Sequence, residues 1–589
     1  MPGRDVPDPT VPRSAHGLRQ FHLFKASALA AGLVAISTMT AGAAGPPTGD
    51  VGAVAPASAV SQTSTPSDIT AQADVIGSVW DPRDISAPGG PYLRDATGRV
   101  VILHGVNAVY KRSPYELSIA PGRPFDFSSA DAAAIADAGF NVVRLGILWE
   151  GFEPGGTPND PSVCASGAPR EGGMFSASVA DSYLHKVVQV VDLLGRYHIH
   201  TLIDMHQDVY AEAFRGEGAP PWAVCTDDQP IVDLPGRWSR NYASATLNIA
   251  EDHFWKNDVV GNLQGNFDHV WAVVAAAFKN NPWVVGYDPY NEPFSRQADH
   301  TDGSGAPAYV ASALECFYTG RLHPGLIPGT STPLRCPAYD PAIGVVPTIE
   351  AADPYHLVFV EPDIYSVHGG PDILGPMPFP RLVYNVHGYC GHRNPVTGSP
   401  TSATRCALSV LKELGFRSAE RALLSSPEQP GGPPMFLSEF GATENETFLH
   451  SVTAEAAQLQ IGWTYWSWKF YDDPTGSSEE PLATPEDQLL SQAAVLAIPY
   501  AEAIAGTPTQ TAYDPTTGTF TFAYVPDHTI HAPTVIITAP LRYPGGYCAT
   551  ASGATITSPA GQSHLLLEND PTGTSVTFKI TPGPCTAGS

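Results

Sequence analysis

The chain has 589 residues, 43% of them hydrophobic and only 15% charged. That length and balance support a large buried core and more than one folded unit, and they argue against a globally disordered chain. The formal net charge of -27 argues against a general nucleic-acid binder and against non-specific attraction to anionic membranes.

In chain order, Arg13, Arg19 and Lys25 precede an apolar stretch, ASALAAGLVAISTMTAGAAG (26–45), which offers an A-x-A-like cleavage site near Ala41–Ala44. Residues 1–45 read as a signal peptide, because no stop-transfer pattern follows; the alternative is an uncleaved anchor. The expected location is therefore secreted or at the cell surface. Residues 46–75 are rich in Ala, Pro, Ser and Thr and read as a flexible leader.

From 76 to 505 a strand–helix rhythm is expected. Eight β-branched or apolar runs end in polar residues: RVVILHGVN (99–107), NVVRLGILWE (141–150), HIHTLIDMHQD (198–208), WVVGYDPYNEP (283–293), YHLVFVEPD (355–363), RLVYNVHGY (381–389), PMFLSEFG (434–441) and IGWTYWSW (461–468). Helical patterns at 129–139, 179–197 and 453–460 lie between them. Strands alternating with helices imply a parallel sheet, and eight such units imply an α/β fold of the (β/α)8 TIM-barrel type. A doubly wound open sheet is the alternative, but no Gly-rich phosphate loop supports it. Beyond 505, GTFTFAYVP, APTVIITAP and TSVTFKITP alternate as antiparallel strands do, so 506–589 reads as a small C-terminal β-sandwich.

Eight cysteines (Cys164, Cys225, Cys316, Cys336, Cys390, Cys406, Cys548 and Cys585) and no C-x-x-C suit disulfides in an exported protein. Nearest-neighbour pairing would staple three inserted loops and the terminal module, and other pairings remain open.

Barrel enzymes place their chemistry at the C-terminal ends of the strands. Glu292, in YNEP, ends the fourth run and Glu439, in LSEFG, ends the seventh. Two carboxylates facing each other across a barrel mouth are what glycoside hydrolysis needs, one to protonate the leaving oxygen and one to attack the anomeric carbon. Taken singly, either acid could be a helix cap or a solvated loop residue.

Several stretches carry a resemblance: LRDATGRVVILHGVNAVYKRSPY (93–115), DMHQDVY (204–210), PPWAVC (220–225), YDPYNEPF (287–294), LSEFGAT (437–443), GWTYWSWKFYDD (462–473) and the tail RYPGGYCATASGATITSP (542–559). Over roughly residues 90–505 the chain resembles glycoside hydrolase family 5, and within it most of all the endoglycoceramidases. The resemblance implies Glu292 as acid/base, Glu439 as nucleophile, and Asn291 as a partner of the sugar 2-hydroxyl. It implies Arg144 and Tyr389 as partners of Glu439, with His387 on the same strand face as Tyr389, and Trp466 as the floor under the sugar. Lys111, His206 and Asp208 are expected to contact sugar hydroxyls. The His-x-Asp spacing also suits a metal, but no third ligand stands out in the sequence, and no metal or cofactor is expected.

The expected partner is a glycolipid or oligosaccharide, with at most shallow contact with lipid aggregates and a monomeric state. Phe254, Trp255, Ile373, Leu374, Met377 and Phe379, on inserted loops, are candidates for an exposed lipid-facing surface. A β-glucanase, β-mannanase or β-glucosidase of the same fold is the near alternative, and a non-catalytic glycan- or lipid-binding protein the distant one.

Overall fold

The computed structural model describes residues 85–123, 125–170, 176–232, 234, 238–295, 307–320, 344–364, 374–389 and 402–585. The signal peptide, the leader, Cys336, Cys390 and Ile373 lie outside them.

Two short strands, β1 (Leu93–Arg94) and β2 (Val100–Val101), precede the barrel. Eight parallel strands then close on themselves: β3 (His104–Ala108), β4 (Val142–Ile147), β5 (His200–Met205), β6 (Val284–Asp288), β7 (Leu357–Val360), β8 (Leu382–Gly388), β9 (Met435–Phe440) and β10 (Gly462–Tyr465), with β10 pairing back onto β3. Seven fall wholly inside the runs named above, and β3 passes the end of its run by one residue, Ala108. Helices at Ser129–Asp137, Ala177–Arg196, Ala245–Lys256, Leu263–Phe278, Pro307–Thr319, Val345–Ala352, Ala403–Glu420 and Glu446–Leu459 cross between strands. Among the described residues, only the β7–β8 connection carries no α-helix. The first helix is opened by a capping box, in which Ser128 accepts from Ala130 and Asp131 accepts from the Ser128 backbone. No helix of the described residues is long and apolar enough to cross a membrane.

The strand period of two sorts the barrel interior into layers. Val142, Leu202, Val285, Phe359, Val383 and Phe436 form one buried apolar cluster. Two residues further along four of the same strands stand Arg144, Asp204, Glu361 and Asn385, all buried. Two further still come His206 and His387. The apolar layer fills the barrel, and the polar layer above it faces the mouth where the strands end.

The first predicted run serves two sheets. Val100–Val101 pairs with β11 (Tyr500–Ile504), while His104–Ala108 enters the barrel. The sandwich therefore draws on both ends of the barrel sequence and begins before residue 506. One sheet has the order β1-β2-β11-β14-β17-β16 and the other β12-β13-β18-β15, where β12 is Gly506–Asp514, β13 Thr519–Pro526, β14 Thr534–Ile537, β15 Tyr547–Ser552, β16 Ala554–Ile556, β17 His564–Asn569 and β18 Val576–Pro582. Alternate side chains of β13 and β18 turn inward, and Phe520, Phe522, Tyr524, Val576, Phe578 and Ile580 pack against Val100, Ile504, Ile536 and Leu567 of the facing sheet. Arg99 ties the two regions, holding Asp95 at 2.8 Å and donating to the Pro533 carbonyl at 2.8 Å.

Disulfides join Cys164 to Cys225 and Cys548 to Cys585, and Cys316 and Cys406 are also disulfide-bonded.

Because the sandwich core contains Val100 and Ile102, cutting the chain before Tyr500 strips partners from the segment that leads into the barrel. Such a truncation is expected to yield aggregated or inactive protein by size-exclusion chromatography and glycoside assay. A soluble, active barrel fragment would contradict this packing.

Candidate active site

The centre of the site is Arg144, midway along β4 and fully buried. Its Nη1 donates to Glu439 Oε1 at 2.6 Å and to Asn107 Oδ1 at 3.2 Å. Its Nη2 reaches Asp204 at 2.9 Å, Asp288 at 2.8 Å, Asn291 Oδ1 at 2.9 Å and Glu361 at 3.1 Å. A buried guanidinium is stable only when its fork is filled by carboxylates and amides, and five strand ends supply them here. Not all the acids need be anions. Burial, with Glu361 beside it, pushes Asp288 well above the usual carboxylate range despite Arg144.

Glu439 is the penultimate residue of β9. Besides Arg144 on Oε1, it accepts the Tyr389 hydroxyl on Oε2 at 2.8 Å. Both oxygens act as acceptors, the pattern of an anion. The turn that follows depends on Gly441, whose φ is +105° and where a Cβ would lie 2.1 Å from the Tyr465 ring. This accounts for the glycine in LSEFG.

Glu292 sits just past β6 with φ at +45°, the left-handed region that non-glycine residues occupy at a cost. Its peptide is held from both sides: the N–H donates to Glu361 Oε2 at 2.9 Å and the carbonyl accepts Gln207 Nε2 at 3.1 Å. His387 Nδ1 lies 2.8 Å from its Oε1. Burial raises the Glu292 carboxyl above the usual glutamate range, and His387 opposes that rise without cancelling it. A Glu292 oxygen, a Glu439 oxygen and a His387 ring nitrogen all lie within 4.8 Å of one another.

Asn291 is held in place from within the protein, accepting from Arg144 and donating to the Gln207 carbonyl at 2.9 Å. His206 Nδ1 bonds Asp204 at 2.7 Å, and its ring stacks on Trp466 with centroids 5.1 Å apart. Lys111 Nζ stands 4.4 Å over the same indole, bonded to Asp208 at 2.6 Å and Thr475 at 2.8 Å, with Glu217 at 3.3 Å and Asp473 at 3.2 Å. Burial alone would raise Asp208, but Lys111 and His206 outweigh it and hold this acid far below its usual range. Of the aromatics in WTYWSW (463–468), Trp463, Tyr465 and Trp468 are core residues; Trp468 donates to Asp131 at 2.7 Å. Trp466 alone of that group adjoins Lys111 and His206.

Two triads among the described residues have donor atoms close enough for a metal ion, His206–Asp208–Glu217 and Glu292–His387–Glu439. Glu217 is the third member that the sequence did not reveal. Each cluster already lies against an internal cation, Lys111 beside Asp208 and Arg144 beside Glu439, so these two acids are engaged in ion pairs.

Glu361, Asp288, Asn385, Gln207 and Glu217 were not singled out from the sequence. For Glu361 and Asn385 a signal existed: they follow the inward-facing Phe359 and Val383 by two positions. The lipid-facing candidates are corrected. Phe254, Trp255, Leu374 and Met377 are buried and Phe379 is half-buried: Phe254 and Trp255 lie on the helix Ala245–Lys256 and pack on Tyr290 and Phe317, and the other three join the main hydrophobic core.

A closed eight-stranded barrel with two paired glutamates at its C-terminal rim defines a glycoside hydrolase. The sequence profile described as Cellulase (glycosyl hydrolase family 5) matches residues 115–472, and that of the Glycoside hydrolase family 5 C-terminal domain matches residues 499–581. The chain belongs to glycosyl hydrolase family 5. It is 26% identical over 507 residues to Endoglycoceramidase I of Rhodococcus hoagii (strain 103S), covering 83% of this chain and 87% of that one. It is 25% identical over 525 residues to an endoglycoceramidase of Hydra vulgaris, covering 83% and 88%. Among solved structures it is similar to Endo-glycoceramidase II from Rhodococcus sp., with 25% identity and a TM-score of 0.62, over 84% of this chain and all of that one.

Removing the Arg144 charge leaves several acids buried without a cation. Arg144→Leu is expected to cost about 3–5 kcal/mol of stability and to appear as a large drop in Tm. An unchanged Tm would show that the acids are satisfied without it.

Proposed function

We propose that this protein is a secreted, retaining glycosidase that hydrolyses the β-glycosidic bond between an oligosaccharide and ceramide in glycosphingolipids. The observation that carries the retaining mechanism is the approach of Glu292 and Glu439 oxygens to within 4.8 Å. That leaves no room for the water that inverting enzymes place between carboxyls about 6.5–9.5 Å apart. The Rhodococcus sp. Endo-glycoceramidase II structure that contains a lactosyl-enzyme intermediate, at 25% identity, supports the same chemistry here.

Glu439 attacks the anomeric carbon while Glu292 gives its proton to the departing ceramide oxygen, and a glycosyl ester on Glu439 forms. Glu292, now a carboxylate, takes a proton from water; the water oxygen attacks the same carbon, and Glu439 leaves. Net retention follows from two displacements. Arg144 and Tyr389 hold Glu439 in line, and burial keeps the Glu292 proton available. Lys111, His206, Asp208, Asn291 and Trp466 line the sugar side.

The lipid side is the β5–β6 connection. Tyr242 packs on Phe294 with ring centroids 4.8 Å apart, two residues after Glu292, and Ile231 and Val232 of the same connection are 36% and 52% exposed. These replace the loop residues first considered for that surface. Secretion is supported by the N-terminal segment and by the disulfides, which persist in oxidising compartments. The family profile named for cellulase supports a β-glucanase as the second reading.

A panel of defined glycolipids and soluble β-glucans, with mass analysis of both products, separates the two. Release of an intact oligosaccharide and free ceramide is expected; cleavage of β-glucan alone would overturn the lipid assignment. Glu292→Ala is expected to lose about 10²–10⁴ in rate on ceramide-linked sugar but to retain the first step on a dinitrophenyl glycoside, whose leaving group needs no proton. Equal losses on both would remove Glu292 as the acid. Ile231→Ser combined with Val232→Ser is expected to raise KM for micellar glycolipid several-fold while leaving soluble aryl glycosides unaffected, and equal effects on both substrates would contradict the lipid surface.

A further inference from the structure

We propose that Glu361, at the end of β7, is a positioning residue that anchors His387 and the Glu292 backbone and thereby sets how tightly the Glu292–His387 pair holds its proton. This rests on the mechanism proposed above and adds a residue that touches no reacting atom.

The geometry is that of a hub. Glu361 Oε1 lies 3.1 Å from His387 Nε2, 3.1 Å from Arg144 Nη2 and 3.3 Å from Asn385 Nδ2. Its Oε2 accepts the Glu292 N–H at 2.9 Å. One carboxylate thus reaches both halves of the catalytic pair, through Arg144 to Glu439 and through His387 and the peptide to Glu292. Its own main chain is fixed by Tyr318, whose hydroxyl accepts from the Glu361 N–H and donates to its carbonyl.

His387 stands between three acids. Nδ1 is 2.8 Å from Glu292 and 3.5 Å from Glu439, and Nε2 faces Glu361. The titratable groups facing this cluster are Arg144 of β4, Asp204 of β5, Asp288 and Glu292 at β6, His387 and Tyr389 at β8, and Glu439 of β9. An anionic Glu361 oxygen 3.1 Å away favours a proton on Nε2. Nδ1 then either donates to Glu292 or accepts its proton, so the pair holds one proton beyond the Nε2 hydrogen. Burial disfavours an imidazolium, but Glu361, Glu439 and Glu292 outweigh it and hold His387 well above its ordinary value. Burial likewise opposes ionisation of Glu361, and His387, Arg144 and the Glu292 N–H more than offset it. Removing the Glu361 charge removes an anion from the cluster, so its neighbours release protons at lower pH.

The test compares the full chain with Glu361→Gln and Glu361→Asp. In Glu361→Gln the alkaline limb of kcat/KM is expected to move down by about one pH unit or more, with kcat at least about tenfold lower and KM little changed; Glu361→Asp, which keeps the charge, restores the limb in part. An unmoved limb would leave Glu361 a packing residue and overturn the proposal. NMR titration of His387 in ¹⁵N-histidine-labelled wild type, Glu361→Gln and Glu361→Asp decides independently of turnover, and one folded variant suffices. The proton shared by His387 and Glu292 is expected to be lost at lower pH in Glu361→Gln than in wild type, and identical titration curves would overturn the proposal. Should the wild type cleave no glycoside at all, the functional reading fails while the His387 titration still decides the role of Glu361.

Discussion

A guanidinium with no exposed surface, bonded to acids from four strand ends, is the constraint around which this molecule is organised. Arg144 stands directly above the apolar layer of the barrel, where a charge has no water to fall back on. Its fork fixes Glu439, its second nitrogen fixes Asn291, and through Asp204 it orients His206, which stacks on Trp466. The apolar layer makes the bonds strong, and the closed strand register makes them specific. The geometry of the mouth follows from the register of the strands beneath it.

From that centre two chemically identical side chains are given opposite tasks. Glu439 faces cationic and phenolic donors on both oxygens. Glu292, also buried, has a single imidazole partner and hangs from a peptide whose positive φ is held by Glu361 and Gln207. Desolvation favours the neutral acid and directed donors favour the anion, so a few ångströms separate a proton donor from an electron-pair donor. Polar, charged and stacked groups gather around Trp466 and Lys111, while the exposed aliphatic side chains Ile231 and Val232 belong to the β5–β6 connection.

Much of this was legible in the sequence, for identifiable reasons. Strand period and polar run ends located all eight barrel strands, and Glu292 and Glu439 stood out because each closes such a run. The roles of the inward residues one layer below the rim were less legible. Glu361 and Asn385 follow the inward-facing residue of their strands by two, a register that requires knowing which face is interior. Gln207 and Glu217 act through turns whose path no periodicity predicts. The aromatics Phe254 and Trp255, expected on a loop but lying on a helix, misled because hydrophobicity marks burial and exposed apolar surface alike. Strand β2 was hidden within the first barrel run, since nothing in VVILHG signals that one segment changes sheets between Val101 and His104.

The measurement that bears most directly on the account is the stereochemistry of the first product. Proton NMR of the sugar released from a β-linked glycolipid, followed from the first turnovers before mutarotation, should show the β-anomer accumulating first. Initial appearance of the α-anomer would mean a single displacement by water, and the pairing of Glu292 with Glu439 around one anomeric carbon would then have to be abandoned.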